Sequence, residues 1–174
     1  MKALHLQRKR DRFRTFFAED LQEITKIFRM RKLLEDPFDP PAWPPDVYLT
    51  ELNPDLAREV HTLLILGYQN GGGSIAPFSD WWSALLSDSE FDASLCFLAW
   101  DQQGLIGIAQ CWTSAFVKDL VVHPRRRRQG IGASLLLHTY AVFYHRGAIT
   151  VDLKVEAGNT SAIRLYLQSG MQII

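Results

Sequence analysis

The sequence predicts an α/β fold in which a meander of strands gives way to alternating strands and helices, and three observations carry that reading. Between Leu95 and Trp112 apolar residues recur with a period of two around Asp101-Gln102-Gln103-Gly104, a hairpin signal. From Phe116 to His145 the chain reads as a strand, a basic glycine-containing turn and a helix. A strand over 148–155 then precedes a helix from Ser161 to Gln168, closed by Gly170.

Taken in order, Phe16–Leu34 carries apolar residues at 17, 21, 24, 27 and 28, which is helical spacing. Such a helix has one apolar face to bury, against its own domain or a second subunit. Five prolines between 35 and 45 force an extended connector. Residues 1–45 therefore read as a helical extension with a Pro-rich connector, and 46–174 as the main domain. Val47–Leu52 is a first strand. Asn53 caps a helix with Pro54 at its first position and Asp55 in its first turn, running to about Gln69 and stopping at the glycines 71–73. Ser79 caps a second, short helix to Leu86.

The chain has 174 residues, enough for one domain, and 47% of them are hydrophobic, enough for a sizeable core. No apolar run has the length of a membrane span, and the basic stretch Arg8–Arg14 lacks the apolar segment and cleavage site of a secretory signal. The acidic residues that follow it argue against a mitochondrial presequence, so the expectation is a cytoplasmic protein. Cys96 and Cys111 lie in apolar strands with no partner at metal-ligand spacing, and read as reduced and buried. Net charge is zero but uneven: residues 1–32 hold ten Lys/Arg against four Asp/Glu, and the remainder nine against fifteen. An acidic main domain suits a cationic amine ligand.

The turn Arg127-Arg128-Gln129-Gly130-Ile131-Gly132 has the chemistry of a phosphate site. Its glycines let backbone approach an anion closely, and the N–H groups of Arg128 through Ala133 open a helix whose dipole favours negative charge. The arginines add charge. Four arginines confined to one tight turn are poorly placed to track a nucleic acid, which the acidic remainder would repel. The glycine spacing is also wrong for a dinucleotide fingerprint.

With Asn159-x-x-Ala162-x-x-x-Tyr166 downstream, these residues resemble the acyl-CoA-binding core of the GNAT N-acetyltransferase superfamily, over roughly 46–174. The resemblance implies a GNAT-like mixed, mostly antiparallel sheet with flanking helices and a splayed parallel pair formed by 116–122 and 148–155. It places the pyrophosphate of acetyl-CoA, the acyl donor, at Arg127, Arg128, Gln129, Gly130, Ile131, Gly132 and Ala133. The pantetheine arm would lie along Leu120, Val121 and Val122 with Asn159 beside it; no metal is implied. Tyr166 is the expected proton donor to the departing thiolate. A core tyrosine and a plain helix N-cap are the structural alternatives for Tyr166 and Asn159.

Many relatives carry a glutamate five residues before the asparagine, where this chain has Lys154, and some carry Glu-Asp where it has Lys118-Asp119. Asp119 and Glu156 are then the candidate bases, with Glu156 also able to pair with Lys154. His61 reads as a helix-surface residue and His123 as a turn residue. Phe78, Trp81 and Trp82 are candidate acceptor-site residues, although adjacent tryptophans on a helix cannot both face inward. Family members usually continue into two final strands, the last beside the strand at 148–155, whereas this sequence stops at Ile174. That predicts an open sheet edge, to be covered by another chain, giving a homodimer, by the N-terminal extension, or by further C-terminal residues of a longer natural protein.

The resemblance thus implies an acetyltransferase that moves acetyl from acetyl-CoA to a primary amine by direct attack in a ternary complex. Its acceptor would be a small cationic amine rather than a peptide or protein amine, with no nucleic-acid or membrane partner. A non-catalytic acyl-CoA-binding or regulatory module, and a peptide or protein N-acetyltransferase, are the alternatives.

Overall fold

A computed structural model describes residues 26–35, 41–69 and 73–174. Seven strands form one sheet: β1 (Ile27–Leu33), β2 (Tyr48–Glu51), β3 (Phe91–Asp101), β4 (Gly104–Trp112), β5 (Phe116–Val122), β6 (Thr150–Glu156) and β7 (Gln172–Ile173). Their spatial order is β2-β3-β4-β5-β6-β1-β7, and all neighbours are antiparallel except β5 and β6. Four α-helices are described: α1 (Ala57–Tyr68), α2 (Phe78–Ser87), α3 (Ile131–His145) and α4 (Thr160–Gln168). This is the mixed α/β architecture that the sequence predicts.

The sheet separates two apolar cores. On one face, Ile131, Leu135 and Tyr140 of α3 and Tyr166 of α4 pack over Leu95, Ile106, Leu153 and Met30. On the other, Val60 and Leu64 of α1 and Trp81 and Leu85 of α2 cover Leu98, Ile108 and Val121. Cys96 belongs to the second core and Cys111 to the first, so the two buried thiols lie on opposite faces and both are free.

Local signals set several boundaries. Asn53 Oδ1 accepts from the N–H groups of Asp55 and Leu56, starting the turn that leads into α1. The β3–β4 hairpin turns at Gly104, whose φ of 122° suits glycine, while Asp101 Oδ1 accepts from Gln103 N. The second helix begins earlier than expected: Pro77 precedes it, and Ser79 Oγ bonds Asp80 rather than capping the helix.

The N-terminal expectation requires a larger correction. Where the chain is described, the proposed helix over Phe16–Leu34 is a strand, Ile27–Leu33; the rest of that helix lies outside the described residues. β1 pairs with β6 along its whole length, from Ile27 opposite Glu156 to Leu33 opposite Thr150. Its alternation explains the conformation. Phe28 and Met30 turn into the core, and Ile27, Arg29, Arg31 and Leu33 turn outward. β1 thus closes the edge that the sequence reading leaves open, and residues 27–33 are part of the sheet rather than of an appendage. A short β7 follows on its far side, pairing with Met30 and Arg31. The edge beside β6 is therefore occupied and offers no dimer surface.

Candidate functional site

β5 and β6 pair at two positions only, Phe116 with Asp152 and Val117 with Leu153, although both strands run on. Just past this point β5 is bulged. Cys111 pairs with Val117 and Gln110 with Asp119, so Lys118 is the extra residue and Asp119 is turned toward α1. The strands then diverge around a cleft of about 320 Å³. Leu120 and Val121 form one wall and Lys154 and Glu156 the other. Tyr68 of α1, Asn159 at the start of α4, Tyr166 of α4 and Ile27 of β1 also line it.

Two acidic and two phenolic groups are grouped here. Tyr166 is buried, and that burial, reinforced by the negative charge of Asp119, pushes its hydroxyl up to about 12. It therefore keeps its proton throughout the neutral range. Asp119 is also buried. Its Oδ1 accepts from the Tyr68 hydroxyl at 2.5 Å and its Oδ2 from Lys118 Nζ at 2.8 Å. Burial first, then Asp119, raises the Tyr68 hydroxyl as well. Asp119 is thus a held carboxylate rather than a free one. Glu156 lines the cleft with no ion pair among the described residues, including to Lys154. Asn159 has the N-cap role: its Oδ1 accepts from Ala162 N at 3.1 Å.

The basic turn leads from the end of β5 into α3. Gly130 is the N-cap at φ 83°, with no side-chain cap, and the first helical bond runs from Ser134 N to Gly130 O. The N–H groups of Ile131, Gly132 and Ala133 precede that bond, as the opening donors of a helix do. Arg128 also has positive φ, 62°. Gly132 has a packing role: a Cβ there would come within 3.2 Å of Leu165 and 3.5 Å of Val122, where α3, α4 and β5 meet.

The four arginines divide into two pairs. Arg125 grips buried Asp101 with both terminal nitrogens, at 2.6 and 2.7 Å, and Arg126 pairs with Asp46 and Asp101. Arg127 and Arg128 are exposed at the turn, and Arg127 Nε donates to Val122 O. Two of the four therefore brace the fold, and two face solvent beside the free helix donors. His123 caps the intervening 3-10 turn through Nδ1, accepting from Arg125 N. Burial, then the charges of Arg125 and Arg127, lower its pKa and favour the neutral ring.

Phe78, Trp81 and Trp82 are not brought to this cleft. Trp81 is buried in the α1–α2 core, and Trp82 and Phe78 are half-buried around it. His61, expected on the surface, is buried: its Nε2 lies 2.8 Å from Ala76 O and its ring 5.2 Å from that of Trp81. Tyr68 and Ile27 escaped sequence reasoning. Tyr68 reads as one more apolar residue of a helix, and Ile27 reaches the cleft only because β1 joins β6. Gln110 escaped too. It is fully buried opposite Asp119, and neither amide atom has a hydrogen-bond partner. Among the described residues no cluster of His, Cys, Asp and Glu could hold a metal, and no helix is long and apolar enough to cross a membrane.

Residues 39–171 match the family model described as the Acetyltransferase (GNAT) family. Among solved structures, the chain is similar to a GCN5-related N-acetyltransferase from Sphaerobacter thermophilus: 26% identity, TM-score 0.73, over 85% of this chain and 48% of that one. It is also similar to the ribosomal-protein-S18-alanine N-acetyltransferase from Escherichia coli, at 21% identity and TM-score 0.56, over 71% of this chain and 76% of that one. An aminoglycoside acetyltransferase from an uncultured soil metagenomic sample gives 20% identity and TM-score 0.55, over 71% of this chain and 87% of that one. The latter two likenesses concern the fold alone. The chain spans about half the length of the Sphaerobacter protein. No curated protein matches it.

Proposed function

From the premise that this chain belongs to the GNAT acetyltransferase family, we propose that it transfers an acetyl group from acetyl-CoA to a primary amine within a ternary complex. The observation that carries the proposal is the divergence of β5 from β6 after two paired positions, with Tyr166 in the opening and the donor-rich start of α3 at its end. A pyrophosphate suits the N–H groups of Ile131, Gly132 and Ala133, with Arg127 and Arg128 beside them. Leu120, Val121 and Val122, beyond the last β6 pairing, offer a strand edge to an extended arm.

In the reaction a neutral amine nitrogen bonds to the thioester carbonyl carbon, the carbon–sulfur bond breaks, and the nitrogen loses its proton to a base in the cleft. The departing thiolate is held by a hydrogen bond and takes its proton from solvent on release. Glu156, unpaired at the cleft, is the better placed carboxylate to take the amine proton, because both Asp119 oxygens are engaged. Tyr166 supplies the hydrogen bond to sulfur. With its pKa near 12, full transfer to a thiolate of ordinary basicity, about 8.5, is uphill. Its donation must therefore tighten as charge builds on sulfur rather than precede it.

The test is release of free thiol from acetyl-CoA when primary amines are added. The parent is expected to turn over. Tyr166→Phe is expected to lower kcat on the order of 100-fold with acetyl-CoA affinity retained. Tight binding without turnover of any amine would favour the non-catalytic acyl-CoA-binding module instead.

A further inference from the structure

The mouth of the cleft on the α1 side of the sheet has a charge pattern of its own. There β6 presents Asp152, Lys154 and Glu156, and β1 places Arg31, Arg29 and Ile27 directly opposite them. This face is open: Ile27 and Leu33 are 59% and 50% exposed, and the Arg29 side chain 52%. Asp152 alone serves both arginines, accepting from Arg29 at 2.6 and 2.9 Å and from Arg31 at 2.7 and 2.8 Å. Lys154 stands across from Arg29, like charge against like, an arrangement that weakens a strand pair. Among the described residues no carboxylate lies within ion-pair distance of Lys154. The face therefore holds more cation than its own acids balance, with Glu156 as a lone carboxylate two residues from Lys154.

Two of these three cations, Arg29 and Arg31, come from the N-terminal segment. The sequence reading sets that basic stretch apart from an acidic domain and so expects a cationic acceptor. Because Ile27–Leu33 is a strand of the sheet, Arg29 lies directly opposite Lys154 of the cleft wall and Arg31 two residues further along the same face, and the local balance beside the cleft reverses. A purely cationic amine would meet Lys154 and Arg29 on its way to Glu156.

We propose that the acceptor is a primary amine that also carries an anionic group, a carboxylate or a phosphate, with the amine directed to Glu156 and the anion held by Lys154 and Arg29. The inference rests on the acetyl-transfer reading for its site, and it adds the class of acceptor. Successive same-face residues on a strand are about 7 Å apart. Amine and anion are therefore separated by a few bonds, as in a small amino acid or an aminoalkyl phosphate. Charge-assisted hydrogen bonds to a carboxylate or phosphate would relieve the opposed cations.

Calorimetric titration of the full chain, saturated with CoA, tests this with propylamine, β-alanine, phosphoethanolamine and putrescine. β-Alanine, phosphoethanolamine or both are expected to bind roughly tenfold tighter than propylamine and putrescine, and the two anionic probes distinguish carboxylate from phosphate. Lys154→Gln is expected to remove that advantage by weakening the anionic probes, with propylamine binding at least as tightly as to the parent because one repelling charge is gone, and Lys154→Arg to retain it. Equal or tighter binding of propylamine or putrescine, an anionic preference untouched by Lys154→Gln, or no binding by any of the four overturns the proposal. Failure of CoA itself to bind counts against the cofactor reading separately. The same titration without CoA then still reads the preference between amines with and without an anionic group.

Discussion

At Gly67 a missing methyl group sets one wall of the cleft. A Cβ at this position would collide with both methyl carbons of Val121. A β-branched side chain cannot swing aside without leaving its rotamer. Gly67→Ala should therefore destabilise the fold by about 1–3 kcal/mol, measured as a lower denaturant midpoint, and displace Tyr68 from Asp119. Substitution without loss of stability would mean that α1 does not pack this closely on β5. Residues of this kind explain how far the site was legible. Arg127, Gly130, Asn159 and Tyr166 stand at fixed spacings in one run of chain, so the sequence displays them together. Tyr68 and Gly67 reach the cleft from a helix more than fifty positions before Leu120, through packing that spacing does not encode. The tryptophans mislead for the opposite reason, since their size makes them conspicuous while burial in a core is their ordinary use.

Among the elements, β1 departs furthest from the sequence reading. Its outward residues Arg29 and Arg31 and inward residues Phe28 and Met30 alternate with a strand's period. Apolar positions upstream extend a helical spacing across it, and only the edge of β6 decides between the two. The other main elements were legible because each carries its own signal: the Asn53-Pro54 start, the hairpin turn at Gly104 and the glycine at 170. Met30 is fully buried between the sheet and α3 and α4. Met30→Ala should cost about 2–5 kcal/mol, as expected of a strand integral to the domain. A variant as stable as the parent would show β1 to be dispensable and the edge of β6 open in solution. Conversely, Ile27 and Glu156 at the cleft depend on the register of this one strand pair.

At the scale of the whole molecule, a net charge of zero conceals buried carboxylates fixed by arginine. The hydrogen bonds from Arg125 hold the Asp101 carboxyl down to about 2, and those from Arg31 and then Arg29 lower Asp152. A carboxylate depressed in the folded state contributes stability that is present above its unfolded pKa, about 3.9. That contribution is lost as pH falls toward the folded value. Denaturant midpoints should hold steady above pH 5 and drop between about pH 4 and pH 2. Asp101→Asn should be less stable than the parent at neutral pH and converge with it near pH 2. A constant gap across that range would remove the Arg125 pair from the account. The pair braces the turn between β5 and α3, so the same linkage supports the start of the helix assigned to phosphate.

The central claim, that the opening between β5 and β6 and the start of α3 together receive acetyl-CoA, is tested most directly by thermal unfolding with and without that ligand. A ligand that binds only the folded state must raise the melting temperature. The parent should shift upward at saturating acetyl-CoA, and Arg128→Glu, an exposed change at the turn, should lose most of the shift while melting near the parent without ligand. No shift in the parent, or an equal shift in Arg128→Glu, would contradict the assignment.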